Sequence, residues 1–476
     1  MGGALVLGTN PRKGPETHQT FEMHIPHASS AGGELRISLA TLSTIAIVAL
    51  TTTCLVEPAN ALDLDGTDGL NTETVASRER IKDWDNIKQY GAERVLEDRD
   101  RQHVAAEGVR AGSYLIFPSA DANVIFDDNI FNRDADKHSD IKFELAPEVQ
   151  FNSRLPRHAL NFSLNGKLVS YLENTEQNYE NIGATVGGAL HFDHAHTLSA
   201  SILSELTHDE RGSITAPKSA LGPIPVFHNR ISAGITRDVG RLYGTVYATA
   251  ETFDYKDVRA VDGSILDQDT RDTEIYSAQL RAGYRFSPGY DFISKVRLLR
   301  QYNTGFGNQS MDSHGYEAVG GLAFETNPLL RWRVVGGVGL RDFDDPALDN
   351  ILTTLAEAQM QWLPTQRMTI TGKLKREIID TVSAEDGGRV ETSLSGRVDY
   401  DIYNNLVLSV GGSYSQAEFF GTTREDDALT GKISLNYFLN KNWLFTFAYE
   451  HEFRDSTQDI FDSSRNRYLI GAKMKF

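Results

Sequence analysis

From Gly112 onward, apolar and polar residues alternate in segments of roughly ten to fifteen residues separated by turn-like clusters, the period of strands rather than of helices. The segment at Trp443 shows it best. Trp443, Phe445, Phe447, Tyr449 and Phe453 share one face, and Leu444, Thr446, Ala448, Glu450, Glu452 and Arg454 share the other. Near Val390 the apolar face carries Val390, Leu394, Val398, Tyr400 and Ile402. The opposite face carries Arg389, Glu391, Ser393, Ser395, Arg397, Asp399 and Asp401. A water-soluble sandwich would bury the apolar face, but these segments are too long and uniform for that, and their second face is heavily charged. A lipid-facing band around a wet lumen accounts for both faces.

The connections alternate in length as well. Short ones fall at Arg154–Arg157, Asp193–Ala195, Ser287–Gly289, Asn327–Leu329, Pro364–Gln366, Tyr403–Asn404 and Asn440–Lys441. Longer, acidic ones fall at Asp127–Asp140, Arg211–Phe227, Asp257–Arg271, Thr304–Asp312, Asp342–Asn350, Asp380–Gly387, Gly421–Asp427 and Asp455–Ser464. Short periplasmic turns and long external loops predict an all-β, transmembrane antiparallel up-and-down barrel of about eighteen strands, with both termini in the periplasm. The alternation is weakest near Ile231 and Tyr243, where Glu251 falls on the expected outer face.

Trp332, Trp362 and Trp443 sit beside short turns together with Phe286, Tyr290, Phe292 and Tyr403. Amphipathic rings at one level predict an aromatic girdle at the inner interface. The chain ends in Phe476, preceded at alternate positions by Met474, Ala472, Ile470 and Tyr468. That ending is similar to the recognition signal of substrates of the barrel-assembly machinery.

Composition adds limits. Hydrophobic residues make up 40% of the 476, ordinary for a soluble protein and equally for a membrane barrel, where alternate side chains face lipid. A net charge of −18 argues against a nucleic-acid partner. The single cysteine, Cys54, lies in an apolar run, Leu39 to Val56, which follows Arg36 and precedes Ala59-Asn60-Ala61. This reads as a signal peptide over residues 1–61, with Met23 as an alternative start and Leu62 as the mature N-terminus. Residues 62–111 form a charged periplasmic extension, either a solvated tail, a plug or a partner-binding segment. Residues 112–476 form the barrel.

In this register Arg281, Arg285, Lys295, Arg297, Arg331, Arg333, Arg341, Lys373, Lys375, Arg389 and Arg397 face the lumen, interleaved with Glu317, Glu325, Glu357 and Glu377. Such a wall attracts anions unless its charges merely pair off. Catalytic signatures are lacking: there is no G-x-S-x-G elbow, no phosphate-binding glycine loop, and His451-Glu452 lacks the second His of a zinc protease. His191, His194 and His196 crowd one turn, but His191 and His194 differ in strand parity. Asp134, Asp136 and Asp140 lack the glycine of a calcium loop. No metal, cofactor or enzymatic role is expected.

Gly112-Ser113-Tyr114-Leu115-Ile116-Phe117-Pro118 and Asp127-Asp128-Asn129-Ile130-Phe131 resemble the opening of the putative β-barrel porin-2 family. Ser139-Asp140, Leu145-Ala146-Pro147-Glu148, Arg157-His158-Ala159-Leu160, Tyr284-Arg285-Phe286-Ser287-Pro288-Gly289, Trp362-Leu363-Pro364-Thr365 and Arg424-Glu425-Asp426-Asp427 continue the resemblance to the C-terminus. It implies a porin of the Gram-negative outer membrane, in contact with outer-membrane lipid and lipopolysaccharide. It further implies the outer-membrane channel of an exopolysaccharide export route, meeting periplasmic proteins of that system. A diffusion porin for small anionic solutes is the alternative, and a barrel enzyme a more distant one.

Overall fold

The computed structural model describes residues 107–476, apart from 214–215, 304–310, 328, 380–387 and 421. The expected signal peptide and most of the expected extension lie outside the described residues. Eighteen long antiparallel strands follow one another. They are β1 (Tyr114–Asp127), β2 (Asp140–Ser153), β3 (His158–Tyr171), β4 (Tyr179–His191), β5 (His196–Asp209) and β6 (Ile224–Val239). Next come β7 (Leu242–Tyr255), β8 (Thr273–Ser287), β9 (Tyr290–Asn303), β10 (Ser313–Asn327), β11 (Leu330–Phe343) and β12 (Ile351–Thr365). The last are β13 (Met368–Ile379), β14 (Arg389–Tyr403), β15 (Leu406–Phe419), β16 (Glu425–Phe438), β17 (Trp443–Ser456) and β18 (Ser463–Lys475). Each pairs with its neighbours in sequence, and β1 pairs with both β2 and β18, so the sheet is closed. A short strand, Val109–Ala111, folds back on the start of β1.

Closure satisfies every strand's backbone groups without water, which a lipid-embedded sheet must do. The pleat then sorts the side chains. Val124, Leu164, Ile182, Val246, Leu280, Val296, Val338, Leu394, Ile433 and Ile470 are exposed on the outside at alternate positions. Among the described residues the buried apolar side chains form small clusters on the inner face, such as Val407, Phe438 and Leu444. At the end with short turns, the rings of Phe286, Tyr290, Phe324 and Trp332 follow one another across β8 to β11, with centroids 6.0, 6.2 and 6.3 Å apart. Trp362 and Trp443 are exposed at the same end, and Trp443 stacks on Phe445.

Four details differ from the sequence reading. The β6–β7 connection is a two-residue turn at Gly240-Arg241, with Gly240 at a φ of +62°, a conformation that disfavours any side chain. Residues 172–178 form a loop of their own, and β6 begins at Ile224, inside the segment taken as loop. Glu251 points inward: on β7 it is Leu242 and Val246 that are exposed, and Glu251 bonds His228 and Arg230 on β6. The misleading signal is aromatic. Tyr243, Tyr247 and Phe253 share the parity of Glu251, and Tyr243 is held inside by Asp291 at 2.7 Å and Phe253 by stacking on His228.

The seam between β1 and β18 runs in register from Ser119 opposite Lys475 to Asp127 opposite Arg467. Asp127, fully buried on the inner face, accepts two hydrogen bonds from Arg465 Nε, at 3.0 and 2.9 Å, and one from Nη2. Asp128 receives the backbone N–H of Asn466 at 2.6 Å, and Lys473 lies 3.1 Å from Asp121. Val124 and Phe126 continue the lipid-facing parity on one side, Tyr468 and Ile470 on the other. Met474 pairs with Ala120, and the Phe476 N–H reaches Pro118 O at 3.1 Å. Removing one member of a buried ion pair typically costs about 3–5 kcal/mol, more than replacing both. Asp127→Ala should therefore lower the urea midpoint of the detergent-solubilised barrel strongly, and Asp127→Ala with Arg465→Met should recover most of the loss. Equal loss in the single and double variants would show that the pair does not hold the seam.

Candidate functional site

The inner face of β8 to β14 carries a charged wall built by strand parity. Arg281 lies directly opposite Lys295 across β8–β9, and Arg297 opposite Glu317 across β9–β10. Like charges directly opposed destabilise a sheet, and Lys295 is offset in part by Glu317 nearby. Glu317 lies 3.4 Å from Arg297 and 3.0 Å from Arg341, with Lys295 also near it. Arg333 is bonded to Glu357, which also accepts from Gln359 at 2.6 Å. Lys375 sits 2.6 Å from Glu377 and Arg397 2.8 Å from Asp399. Lys373 lies opposite Gln359 and Ser395.

Burial divides these residues. Arg331, Arg333 and Arg341 are only 2%, 3% and 1% exposed, so they brace the wall beneath their neighbours. Arg281, Lys295, Arg297, Lys373, Lys375 and Arg397 are half-buried and form its accessible surface. Arg285 stands apart, near the short turns. It donates to both oxygens of Asp238 at 2.7 and 2.9 Å and lies over the Tyr243 ring, 4.4 Å from its centroid. A Cβ at Gly283 would overlap that ring, so glycine there gives Tyr243 its place. The wall is not uniformly polar: Ile293, Ala323 and Val335, with Val319 against them, form an apolar patch between the charged rows. The side chain of Glu325 lies outside the described residues.

The external end differs most from expectation. The loops there read as acidic and outward-facing, yet two of them turn inward. In 128–139, Ile130 and Phe131 pack on Val169, Tyr171 and Tyr179, all inner-face residues of β3 and β4. In 210–223, Ala216 and Ala220 pack with Ile224, Tyr255 and the 256–272 hairpin, whose arms are Val258–Arg259 and Ile265–Leu266. The two loops meet: Asn132 Nδ2 donates to Gly212 O, and Arg211 covers the Phe131 ring at 4.2 Å. From 256–272, fully buried Arg271 bonds Asp209 at 2.9 Å. The Lys142 ammonium, foremost among several cations, holds the Glu210 carboxyl well below the usual range, and Glu210 accepts from Tyr179 at 2.6 Å. Ile130 and Phe131 inside an acidic segment were the one sequence signal for this inward fold.

The metal candidates separate. His191 contacts Thr197 at 2.9 Å and His196 contacts Asp193 at 3.0 Å, while His194 is exposed. Asp140 instead pins the 172–178 loop through Asn174, at 2.8 Å. Among the described residues, the carboxylates that do gather are Asp257, Asp267 and Asp269, all exposed.

A family profile described as "Putative beta-barrel porin 2" matches residues 102–476. No curated protein matches the chain in sequence. Among solved structures it is similar to the outer membrane protein OpdK from Pseudomonas aeruginosa, with 12% identity over 76% of this chain and 99% of that one and a TM-score of 0.42. It is also similar to OccK9 (OpdG) of the same organism, at 12% identity, 76% and 98% coverage and a TM-score of 0.44. A third is Acinetobacter baumannii OccAB4, at 11% identity, 79% and 100% coverage and a TM-score of 0.43.

A titratable carboxyl sits where the hairpin joins β8. Asp272, where 256–272 joins β8, has its carboxyl pushed up to about 6 by burial, with Asp254 and Asp269 adding to the shift. A raised carboxyl favours the docked state while it keeps its proton, and that contribution is lost as pH rises from the ordinary carboxylate range through about 6. Protease cutting within 256–272 should accordingly be slower at pH 5 than at pH 7.5. Asp272→Asn, which keeps the acceptor for the Tyr255 N–H, should be slow to cut at both. A wild-type rate that tracks only the protease's own pH profile would overturn this.

Proposed function

Because the chain belongs to the "Putative beta-barrel porin 2" family and is a β-barrel porin of the outer membrane, we propose that it is a passive channel for small anionic solutes. The observation that carries this reading is the direct opposition of Arg281 and Lys295, flanked by Arg297, on the accessible part of the inner wall. Three neighbouring half-buried cations on an accessible wall attract an anion passing along it. Each close charge lowers the entry free energy of an anion by on the order of 1 kcal/mol in an intermediate dielectric.

The inward-turned loops 128–139 and 210–223 favour small solutes over a polymer, since chain segments lie across part of the external mouth. Export of an exopolysaccharide is the second reading, carried by the family resemblance rather than by the geometry.

In planar bilayers at low salt the wild type should prefer anions, with the preference weakening as salt screens the charges. Changing Arg281, Lys295 and Arg297 together to Gln should shift the permeability ratio several-fold toward cations without harming assembly, because lumen positions tolerate polar change. An unchanged reversal potential would overturn the proposal. A deletion strain assayed for secreted polysaccharide separates the second reading, and lipase and protease assays of the purified barrel separate an enzymatic one.

A further inference from the structure

At the external end, away from the wall just described, cations converge from four separate segments. Lys218 comes from 210–223, Arg133 from 128–139, Arg424 from the residue preceding β16 and Arg454 from the inner face of β17. Arg133 Nη2 donates to Lys218 O at 3.2 Å, which fixes one loop on the other. The Lys218 ammonium lies 5.5 Å from the Phe461 ring centroid, and the Arg424 guanidinium lies 3.4 Å over the same ring. Two acids face the group. Asp426 takes both forks of Arg424, at 2.9 and 2.6 Å, and also the Ser456 hydroxyl. Glu452 accepts from Arg454 Nη2 at 3.3 Å and from Asn132. These four cations thus meet two carboxylates that are already engaged, Glu452 also with Arg467 at 3.9 Å, while Arg389, paired with Glu391, adds its charge near Arg454.

The decisive feature is the donors left over. Lys218 Nζ, and Nε and Nη1 of Arg454, are inaccessible and have no hydrogen-bond partner among the described residues; Arg454 as a whole is 9% exposed. Buried charged donors without acceptors are costly and rare. Water would satisfy the donors but leave the excess positive charge. A compact oxyanion satisfies both, offering several acceptors and the opposite charge to donors that arrive from a loop on one side and a strand on the other.

We propose that Lys218, Arg454, Arg424 and Arg133 form a binding site for a divalent oxyanion group, sulfate or phosphate, at the external mouth of the barrel. This goes beyond the selectivity of the inner wall and does not depend on it. The Lys218 ammonium is already pushed down to about 8, by burial first and then by Arg454, Arg424 and Arg133, with Asp426 opposing. A bound dianion would reverse that shift, so binding draws a proton to Lys218 as pH rises through this range.

The test uses the full-length barrel in nonionic detergent, titrated calorimetrically with sulfate at constant ionic strength, with chloride as the control. Sulfate keeps its charge between pH 7 and 9, so any pH dependence belongs to the protein. One saturable sulfate site is expected, absent with chloride, weaker at pH 9 than at pH 7. Lys218→Met should weaken it at least tenfold and remove the pH dependence, and Arg454→Gln should weaken it similarly. Lys441→Gln, in an exposed turn at the other end, should leave it unchanged. Sulfate should raise the wild-type melting temperature, and Lys218→Met should do so without sulfate. If sulfate binds no better than chloride, or equally well to a folded Lys218→Met barrel, the site holds water only and the proposal is overturned. Lys218 lies in a loop, so that variant keeps the test open should Arg454→Gln fail to assemble.

Discussion

The structure depends on one constraint: in hydrocarbon, no backbone N–H or C=O can go unpaired. A sheet meets it only by closing, and closure makes the β1–β18 seam as necessary as any hairpin. Among the described strand pairings the seam joins the two elements furthest apart in sequence. Its charged contacts answer that separation. Asp127 with Arg465, Asp128 with Asn466 and Asp121 with Lys473 put specific donors and acceptors along a join that register alone must otherwise define. Phe126 and Tyr468 place their rings 6.2 Å apart on the lipid side of the same join.

Closure has a second effect, on the inside. Strand pleat sends every other side chain into the lumen, and those positions are rich in Arg and Lys. Their energetic problem is solved locally rather than uniformly. Glu317 holds Arg297 and Arg341, Glu357 holds Arg333, and the three buried arginines of β11 become part of the wall. The half-buried cations beside them stay within reach of solutes. One ladder therefore supplies both bracing and accessible charge, and burial decides which residue does which.

Much of this was legible in the sequence because a one-residue slip has a severe penalty. Turning Arg297 or Arg333 toward lipid costs roughly 2–4 kcal/mol at mid-membrane, so parity is fixed wherever a strand carries such residues. Parity fails where it has no charge to read or where aromatics occupy the inner face. Glu251 was misread for that reason, since Tyr243, Tyr247 and Phe253 look like lipid-facing rings until His228 and Asp291 are seen to hold two of them inside. The external loops were least legible. That 128–139 folds inward depends on Tyr171, Tyr179 and Gly212, which are distant in sequence, and no local pattern encodes such a meeting. The cations at the mouth are equally hidden in the sequence, because a lone lysine in a polar loop gives no sign that its ammonium is inaccessible.

Each strand is bonded to two neighbours in the same antiparallel way, including the first and the last. Considered as a ring, the barrel has no beginning; β1 and β18 are joined by the same hydrogen bonding as the other neighbours, without a connecting loop. Bringing Asp127 to Arg465 closes a span of 338 residues, with a chain entropy cost of roughly 5 kcal/mol that nearest-neighbour hairpins avoid. Hairpins such as β16–β17 and β17–β18 form from residues close in sequence, whereas the seam must await every other strand. A circularly permuted chain, with the present ends linked and new ones opened at Gly240-Arg241, would keep the same architecture while moving that late closure to β6 and β7. The position of the break therefore governs the order of assembly and leaves the finished shape untouched.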